Sequence, residues 1–272
     1  MRNAKNKCPY FLSLVLTSIL FVCIYFIREN VIETFPKEET AVILDNEVLE
    51  SVSGNEVSGN TISGNDTEVS AAGNMVLDSE EAIQEYLSDT LFIGDSRTVS
   101  LKEYAGWDSA TFFVKSGLTI WDVLDEKVAE YDGENISVED ALQKYKFGKI
   151  YIMLGINELG RGTPETFAEQ YRAVVERIKQ LQPDAIIIVE AIMHVTVEKD
   201  AEQTYINNVE INARNEKIKE MAEQLGVYWL DVNPVTDDGE SGCLVSEYSF
   251  DGVHLKVKYL DVWKEFILGH PF

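Results

Sequence analysis

Short apolar segments alternate with longer amphipathic ones in the C-terminal part of the chain, and this alternation limits the folds open to it. Five segments are mainly apolar; they are residues 90–93, 111–114, 149–154, 185–189 and 227–232. Continuous apolar segments of this length are typical of strands that are buried on both faces, as in a parallel sheet covered by helices. The pattern predicts an α/β protein.

Amphipathic helices are predicted between these strands. Ser79 can cap a short helix over residues 79–87, and Thr163 can cap a longer one that starts at Pro164. The apolar stripe of the longer helix comprises Phe167, Tyr171, Val174, Val175, Ile178 and Leu181. Another stripe comprises Ile211, Ile218, Met221, Ala222 and Leu225. We therefore expect a three-layer α/β/α sandwich around a doubly wound, flavodoxin-like sheet of five parallel strands, with strand order 2-1-3-4-5.

The N-terminal segment has the properties of a membrane anchor. Residues 9–27 contain no charged side chain and follow the basic residues Arg2, Lys5 and Lys7. A helix of this length covers roughly 29 Å, about one bilayer core. The basic flank predicts that residues 1–8 lie in the cytoplasm and the remainder outside the cell membrane. We interpret the segment as an uncleaved single span, because residues 28–33 lack the small residues of a signal-peptide cleavage site.

Residues 28–77 are predicted to be a flexible linker. Within them a pattern of one apolar residue followed by Ser-Gly-Asn recurs, starting at Val52, Val57 and Ile62. A segment with so few apolar residues cannot bury enough surface to offset the entropy lost on ordering. The folded domain is accordingly expected to comprise residues 78–272.

The charge of the chain bears on its partners. The sequence has 47 acidic and 23 basic residues, a formal net charge of −24 at pH 7. A surface this acidic repels phosphate backbones, so we expect no nucleic-acid partner. Fold and reaction depend instead on particular residues.

Polar or glycine-containing motifs follow the predicted strands at their carboxyl ends. Ser96, Gly117 and Asn157 follow the first, second and third strands. The segment Asp251-Gly252-Val253-His254 comes after the fifth. In a doubly wound sheet, ligands bind beyond these ends, near the point where strand order reverses. The sequence thus predicts that Ser96 and Asn157 face each other there.

The residue types in these motifs suit acyl transfer. A serine hydroxyl attacks an ester when a base removes its proton, and histidine can take that proton and return it to the leaving group. Asp251, three residues before His254, is placed to orient the imidazole. The side-chain amide of Asn157 and the backbone N–H groups of Ser96 and Gly117 are candidate donors to the oxyanion of a tetrahedral intermediate.

Together the motifs resemble the four sequence blocks of the SGNH (GDSL-like) hydrolases, in the family's order and over about residues 88–268. The blocks are Gly94-Asp95-Ser96, Gly117, Gly155-Ile156-Asn157-Glu158 and Asp251-Gly252-Val253-His254. The resemblance implies that Ser96 is the nucleophile, His254 the base and Asp251 its orienting partner. It also implies that Ser96, Gly117 and Asn157 form the oxyanion hole, and that no metal or cofactor is required. Glu158 stands where the family usually has aspartate, which puts the geometry of that loop in doubt.

The expected function is that of an extracytoplasmic serine esterase. It would hydrolyse short acyl esters, acetyl esters above all, of small molecules or cell-envelope glycans through an acyl-Ser96 intermediate. Two alternatives stay open: an O-acyltransferase that uses the same site, and a non-catalytic envelope-binding protein on an esterase scaffold. The natural substrate and the acyl length do not follow from the residues.

Further residues near the motifs have competing interpretations. We interpret His194 as a structural residue of a loop, and Arg97 as paired with an acid rather than as a guide for anionic substrate. Trp121 and Tyr248 could stack on a sugar, but core packing is the commoner fate of such side chains. Glu190 lies near the fourth strand without an identifiable partner.

Overall fold

A computed structural model describes residue 77 and residues 79–272. The predicted cytoplasmic segment (1–8), membrane anchor (9–27) and, apart from Leu77, linker (28–77) lie outside the described residues. Within the described part of the chain, no helix has the length and apolar character needed to cross a bilayer.

Helices and strands alternate along the described residues. In chain order they are α1 (Glu80–Leu87), β1 (Thr90–Gly94), α2 (Ser96–Tyr104), β2 (Thr111–Val114), β3 (Ala129–Tyr131), β4 (Glu134–Ile136), α3 (Val138–Lys144), β5 (Lys149–Met153), α4 (Pro164–Leu181), β6 (Ile186–Glu190), α5 (Val197–Asp200), α6 (Asn208–Leu225), β7 (Tyr228–Leu230), α7 (Asn233–Thr236) and α8 (Leu260–Leu268). Short 3₁₀ helices occupy Ile156–Glu158, Ser246–Tyr248 and Val257–Tyr259.

Five strands form one parallel sheet in the order β2-β1-β5-β6-β7. The predicted sheet and its strand order are confirmed, and the order reverses between β1 and β5. The last strand is shorter than predicted, since β7 ends at Leu230. The carboxylate of Asp231 accepts a hydrogen bond of 3.0 Å from the backbone N–H of Asn233. This local bond turns the chain out of the sheet.

Both faces of the sheet are covered by helices, which explains the continuous apolar strands. Leu91 and Ile93 of β1 are buried in a core that also contains Phe167 of α4. Phe92, between them, belongs to a separate core with Trp263 of α8. Successive side chains of a strand point to opposite faces, so each strand supplies both cores. The described part of the chain is therefore a three-layer α/β/α domain.

The predicted helix starts are confirmed by their capping hydrogen bonds. The Ser79 hydroxyl accepts from the backbone N–H of Ala82 at 3.2 Å, at the start of α1. Thr163 and Thr166 exchange side-chain and backbone hydrogen bonds around the first turn of α4, where Pro164 occupies the first position. Each cap satisfies backbone N–H groups that have no partner inside the helix.

Between β2 and β5 along the chain, β3 and β4 form a separate antiparallel hairpin that was not expected from the sequence. Its strands are short and largely exposed, so they lack the apolar pattern that marks the main sheet. The turn consists of Asp132 and Gly133, both with positive φ (52° and 79°). Asp-Gly is a preferred pair for such two-residue turns and was the available signal.

Candidate active site

Ser96 lies at the junction between β1 and α2. Asp95, which precedes it, caps α2 by accepting a 2.9 Å hydrogen bond from the backbone N–H of Arg97. Gly94 has no space for a side chain, because a Cβ atom there would collide with Thr98 and lie 3.0 Å from the Met153 carbonyl oxygen. Ser96 is thus held in the first turn of a helix, where its backbone N–H has no intrahelical partner.

Ser96, His254 and Asp251 form a continuous chain of hydrogen bonds. The Oγ atom of Ser96 lies 2.8 Å from Nε2 of His254. Nδ1 of His254 lies 2.6 Å from Oδ2 of Asp251. An ionised carboxylate only accepts, so Nδ1 carries the ring proton and Nε2 is left to accept from the serine hydroxyl. The structure thereby brings together three residues that the sequence placed in two distant segments.

The carboxylate of Asp251 is held by its own loop. Its Oδ1 atom accepts from the backbone N–H groups of Val253 and His254, each at 2.9 Å. Partial burial alone would raise the pKa of Asp251, but the hydrogen bonds from His254 and Val253 hold it well below its ordinary value. Asp251 therefore stays ionised at neutral pH and can stabilise an imidazolium.

Gly117 is presented by a tight turn after β2. The backbone N–H of Leu118 donates to the Lys115 carbonyl at 3.1 Å and closes the turn. Gly117 has a φ of 78°, in the left-handed region that glycine adopts without steric cost. The backbone N–H of Lys115 also donates to the Gly94 carbonyl at 3.2 Å. The turn that carries Gly117 is thus fixed to the end of the strand that leads to Ser96.

Asn157 lies in the 3₁₀ helix after β5, on the other side of β1 from Gly117. Its Nδ2 atom donates to the Leu118 carbonyl at 3.0 Å. This bond uses one of the two N–H bonds of the amide and sets the orientation of the other. Gly117 and Asn157 therefore follow the two strands that flank β1, and a hydrogen bond joins their segments.

Glu158 occupies the position where the resemblance left the loop geometry in doubt. Its side chain is completely buried, and Oε1 accepts from the backbone N–H of Ile120 at 2.6 Å. The longer side chain reaches across to the segment after Gly117. The loop is thus bridged at Glu158 as well as at Asn157.

Arg97 forms no salt bridge with an acid of the described residues, where its partners are backbone carbonyls instead, so that prediction is wrong. Its guanidinium is buried and donates to backbone carbonyls: from Nε to Val253 at 3.0 Å and from Nη1 to Met193 at 2.7 Å. Burial lowers the pKa of Arg97 to about 10, against the opposing effect of the neighbouring carboxylates Asp95 and Asp251. Arg97 remains charged and joins the helix of the nucleophile to two loops.

His194 has the structural role that was predicted for it. Its ring is largely buried, with Nδ1 2.7 Å from Oδ2 of Asp237 and Nε2 2.8 Å from Oδ1 of Asn212. The surrounding loop is held by side-chain amides that bind its backbone; they belong to Asn208, Asn215 and Asn233. Sequence reasoning missed these three residues, because asparagine on a helix is not distinctive by itself.

The two aromatic candidates differ in their surroundings. Trp121 is partly exposed, packs edge-on against Phe167 and is covered by the guanidinium of Arg161, 4.7 Å from the ring centroid. Tyr248 stacks on Tyr259 at 4.4 Å. Trp121 alone of the two lies in the segment that follows Gly117.

Glu190 has a partner that the sequence did not reveal. Its Oε2 atom accepts from the indole N–H of Trp263 at 2.9 Å. Burial raises the pKa of Glu190 to about 7, although the hydrogen bond from Trp263 opposes the shift. Over residue 77 and residues 79–272, no group of three or more His, Cys, Asp or Glu side chains is arranged to hold a metal ion.

A five-stranded parallel sheet with a Ser-His-Asp chain beyond its carboxyl ends defines a serine-hydrolase type of α/β/α protein. The chain belongs to the GDSL-like Lipase/Acylhydrolase family, whose model matches residues 79–258. It is accordingly a carboxylic-ester hydrolase.

Solved structures show the same fold. A Streptococcus pneumoniae protein named as a platelet activating factor is 23% identical, with a TM-score of 0.54 over 72% of this chain and 94% of its own. A GDSL-like lipase from Bacteroides thetaiotaomicron is 14% identical, with a TM-score of 0.50 over 66% and 85%. An acylhydrolase from Bacteroides fragilis is 15% identical, with a TM-score of 0.50 over 66% and 84%. No curated protein matches the chain significantly.

Proposed function

We propose that this chain is an extracytoplasmic serine esterase that removes short acyl groups, acetyl in the first place, from small-molecule or cell-envelope glycan esters. The observation that carries the chemistry is the hydrogen-bonded chain from Asp251 through His254 to Ser96, with contacts of 2.6 Å and 2.8 Å. The other two members of the proposed oxyanion hole, Gly117 and Asn157, follow the strands on either side of the one that leads to Ser96.

In the first half of the reaction, Nε2 of His254 accepts the proton of Ser96 as Oγ attacks the ester carbonyl carbon. The carbonyl oxygen becomes an oxyanion and receives hydrogen bonds from the backbone N–H groups of Ser96 and Gly117 and from the Asn157 amide. Asp251 stabilises the imidazolium. Collapse of the intermediate breaks the ester C–O bond, His254 protonates the departing alcohol, and the acyl group stays on Ser96.

In the second half, a water molecule takes the place of the departed alcohol, and attack, proton transfer and collapse occur again. His254 takes a proton from water as the oxygen attacks the acyl carbon, and it returns the proton to Oγ of Ser96 when the acyl–serine bond breaks. A free carboxylic acid leaves and the hydroxyl of Ser96 is restored. A sugar hydroxyl in place of this water would make the same site an O-acyltransferase.

The N-terminal segment supports the placement outside the membrane, and aromatic side chains near the candidate site support the glycan substrate. Residues 9–27, an apolar segment behind a basic one, predict a single span with residues 28–272 outside. Beside the site, Trp121 is partly exposed after the turn of Gly117, and Phe250, directly before Asp251, is 90% exposed. Arg161 covers the Trp121 ring and Lys256 lies over the Phe250 ring, so the exposed part of Phe250 is the apolar surface that we propose for contact with a sugar.

The direct test is the replacement Ser96→Ala, with Ser100→Ala as the matched control. Ser100 lies one turn further along α2, and its hydroxyl contacts only the Ser96 carbonyl at 3.4 Å among the bonds of the described residues. With p-nitrophenyl acetate, we expect Ser96→Ala to lose at least about 1,000-fold in kcat and Ser100→Ala to keep wild-type turnover. Equal turnover in both variants would remove Ser96 from the mechanism.

The substrate is tested on purified, acetylated wall polysaccharides. Release of acetate by the wild type but not by Ser96→Ala supports glycan deacetylation. Newly acylated sugar in the presence of an acceptor glycan supports the transferase instead. A fluorophosphonate probe that leaves Ser96 unlabelled in the folded protein would favour the non-catalytic binding protein.

A further inference from the structure

Glu158 carries a buried carboxyl group that has no part in the proposed esterase reaction. Its side chain has no solvent exposure, Oε1 accepts from the backbone N–H of Ile120, and Oε2 is buried without a hydrogen-bond partner among the residues that the structure describes. A charge on a carboxyl group buried in this way destabilises the folded protein, so burial favours the protonated form. Through its Oε1 atom, Glu158 nevertheless connects the segment after β5 to the segment after Gly117.

Asn157 and Glu158 hold the segment after Gly117 at two points. The Asn157 amide donates to the Leu118 carbonyl at 3.0 Å, and the Glu158 carboxyl accepts from the Ile120 N–H at 2.6 Å. Asn157 and Glu158 are neighbours in one segment, and their partners Leu118 and Ile120 lie two residues apart in the other. They fix Gly117, at the head of its segment, relative to Asn157.

This spacing matters for the proposed oxyanion hole. Donors stabilise a developing oxyanion when they lie about 2.7–3.1 Å from it, and loss of one donor typically reduces turnover by about 10²–10³. Gly117 and Asn157 come from different loops and depend on a bridge to act on the same oxygen. Glu158 is half of that bridge.

We propose that Glu158 is a positioning residue for the oxyanion hole, which acts by fixing the Gly117 segment to the Asn157 segment. The proposal rests on the proposed function, because it assumes that these two residues bind the oxyanion. Glu158 itself touches no reacting atom in this scheme.

The protonation state of Glu158 matters to the same site. Burial raises the pKa of Glu158 to about 7, the nearby carboxylate of Asp95 adds to the shift, and the Ile120 N–H and Arg161 oppose it. Tyr171, on α4, also lies near Glu158 and stays neutral, because burial raises its pKa well above the ordinary value. Below about pH 7 an uncharged Glu158 adds no negative charge beside the oxyanion. Above it, the ionised carboxylate would repel that oxyanion.

The test compares Glu158→Met and Glu158→Gln with the same substitutions at Glu190. Glu190 is the matched control because it is also fully buried, also has a pKa of about 7 and also accepts one N–H bond, from Trp263. It does not contact the Gly117 or Asn157 segments through any hydrogen bond of the described residues. Substrate is p-nitrophenyl acetate, Ser96→Ala provides the blank, and the melting temperature of each variant is measured in parallel.

Glu158→Met should lose about 100-fold in kcat with KM changed less than about threefold, while Glu190→Met keeps the wild-type kcat at temperatures where it is folded. Glu158→Gln should keep kcat within about threefold at pH 6, because its amide oxygen can still accept from Ile120. Above about pH 7 the wild-type kcat/KM should fall on a limb that Glu158→Gln lacks.

Other outcomes separate the two proposals. A folded Glu158→Met with wild-type kcat, or an equal loss in Glu190→Met, would overturn the positioning role and leave the esterase intact. If Glu158→Met does not fold, Glu158→Asp takes its place, because the shorter side chain keeps the carboxyl group but does not reach the Ile120 N–H; wild-type kcat in that variant would overturn the positioning role. A wild type with neither turnover nor a Ser96 adduct would remove the proposed function and this inference together.

Discussion

The guanidinium of Arg97 is hydrogen-bonded at 3.0 Å to the backbone carbonyl of Val253, a residue 156 positions further along the chain. Arg97 follows Ser96, and Val253 precedes His254, so this bond joins the two sides of the proposed nucleophile–base pair. The same guanidinium binds the Met193 carbonyl at 2.7 Å. A single buried side chain thus links the helix that carries Ser96 to the loop that carries His254.

Replacement of Arg97 should uncouple these loops. Arg97→Met leaves the buried Met193 carbonyl and the partly buried Val253 carbonyl without this donor, and we expect a loss of stability on the order of 3 kcal/mol and a fall in kcat of about 10- to 100-fold. Chemical denaturation and steady-state kinetics measure the two effects. The surface residue Arg177, which pairs with Glu139, is the control: Arg177→Met should leave kcat unchanged. Wild-type kcat in a folded Arg97→Met would show that the loops hold His254 without it.

The second prediction concerns the partner of the base. In Asp251→Asn the amide is neutral, and if its oxygen keeps the backbone N–H groups of Val253 and His254, its NH2 group donates to Nδ1 of His254 and moves the ring proton to Nε2; we expect kcat to fall by about 10³- to 10⁴-fold. Asp237→Asn is the matched control, because Asp237 forms the other His-Asp pair, with His194 at 2.7 Å. Turnover by the Asp251 variant within tenfold of the control would mean that the imidazole is oriented by other groups.

Glu190 should make stability depend on pH. Burial raises its folded-state pKa from 4.5 to about 7, so the folded protein binds more protons than the unfolded chain between these values. Stability therefore decreases as pH rises through this window and levels off above about 7. Relative to wild type, Glu190→Gln should gain on the order of 3 kcal/mol between pH 4.5 and 7, measured by urea denaturation at several pH values. A difference independent of pH would show that Glu190 does not titrate there.

Gly94 is predicted to be intolerant of any side chain. A Cβ atom would collide with Thr98 and press on the Met153 carbonyl, so Gly94→Ala should destabilise the domain by roughly 2–4 kcal/mol. Gly239 has open space around its Cα atom and no positive φ, so Gly239→Ala should be close to neutral. Thermal unfolding of both variants provides the comparison, and similar melting temperatures would contradict the packing argument.

Much of the fold was predictable because the same apolar pattern recurs in the strands of the parallel sheet. The segments at 90–93 and 149–154 are apolar except at their first residues, Thr90 and Lys149, since both of their faces are buried, and this marks them as strands of a covered parallel sheet. The β3–β4 hairpin escaped prediction because its few exposed residues contribute little to either core. Only Asp132 and Gly133 signalled it.

The candidate site was predictable to the extent that it depends on side-chain types at strand ends. Ser96, Asn157 and His254 could be identified in this way, and the structure places Ser96 and His254 in hydrogen-bond contact. The partners of Arg97 could not be predicted, because they are backbone carbonyls and every residue has one. The same holds for the contact of Glu158 with the Ile120 N–H.

Residues 251–254 carry the acid and the base of the proposed triad on one short loop. The Asp251 carboxylate accepts hydrogen bonds from the backbone N–H groups of Val253 and His254 and from the His254 ring, so the contact between acid and base does not depend on Ser96. A shift of this loop would carry both members away as one body and leave Ser96 an ordinary alcohol. The position of residues 251–254 therefore decides whether Ser96 can act as a nucleophile.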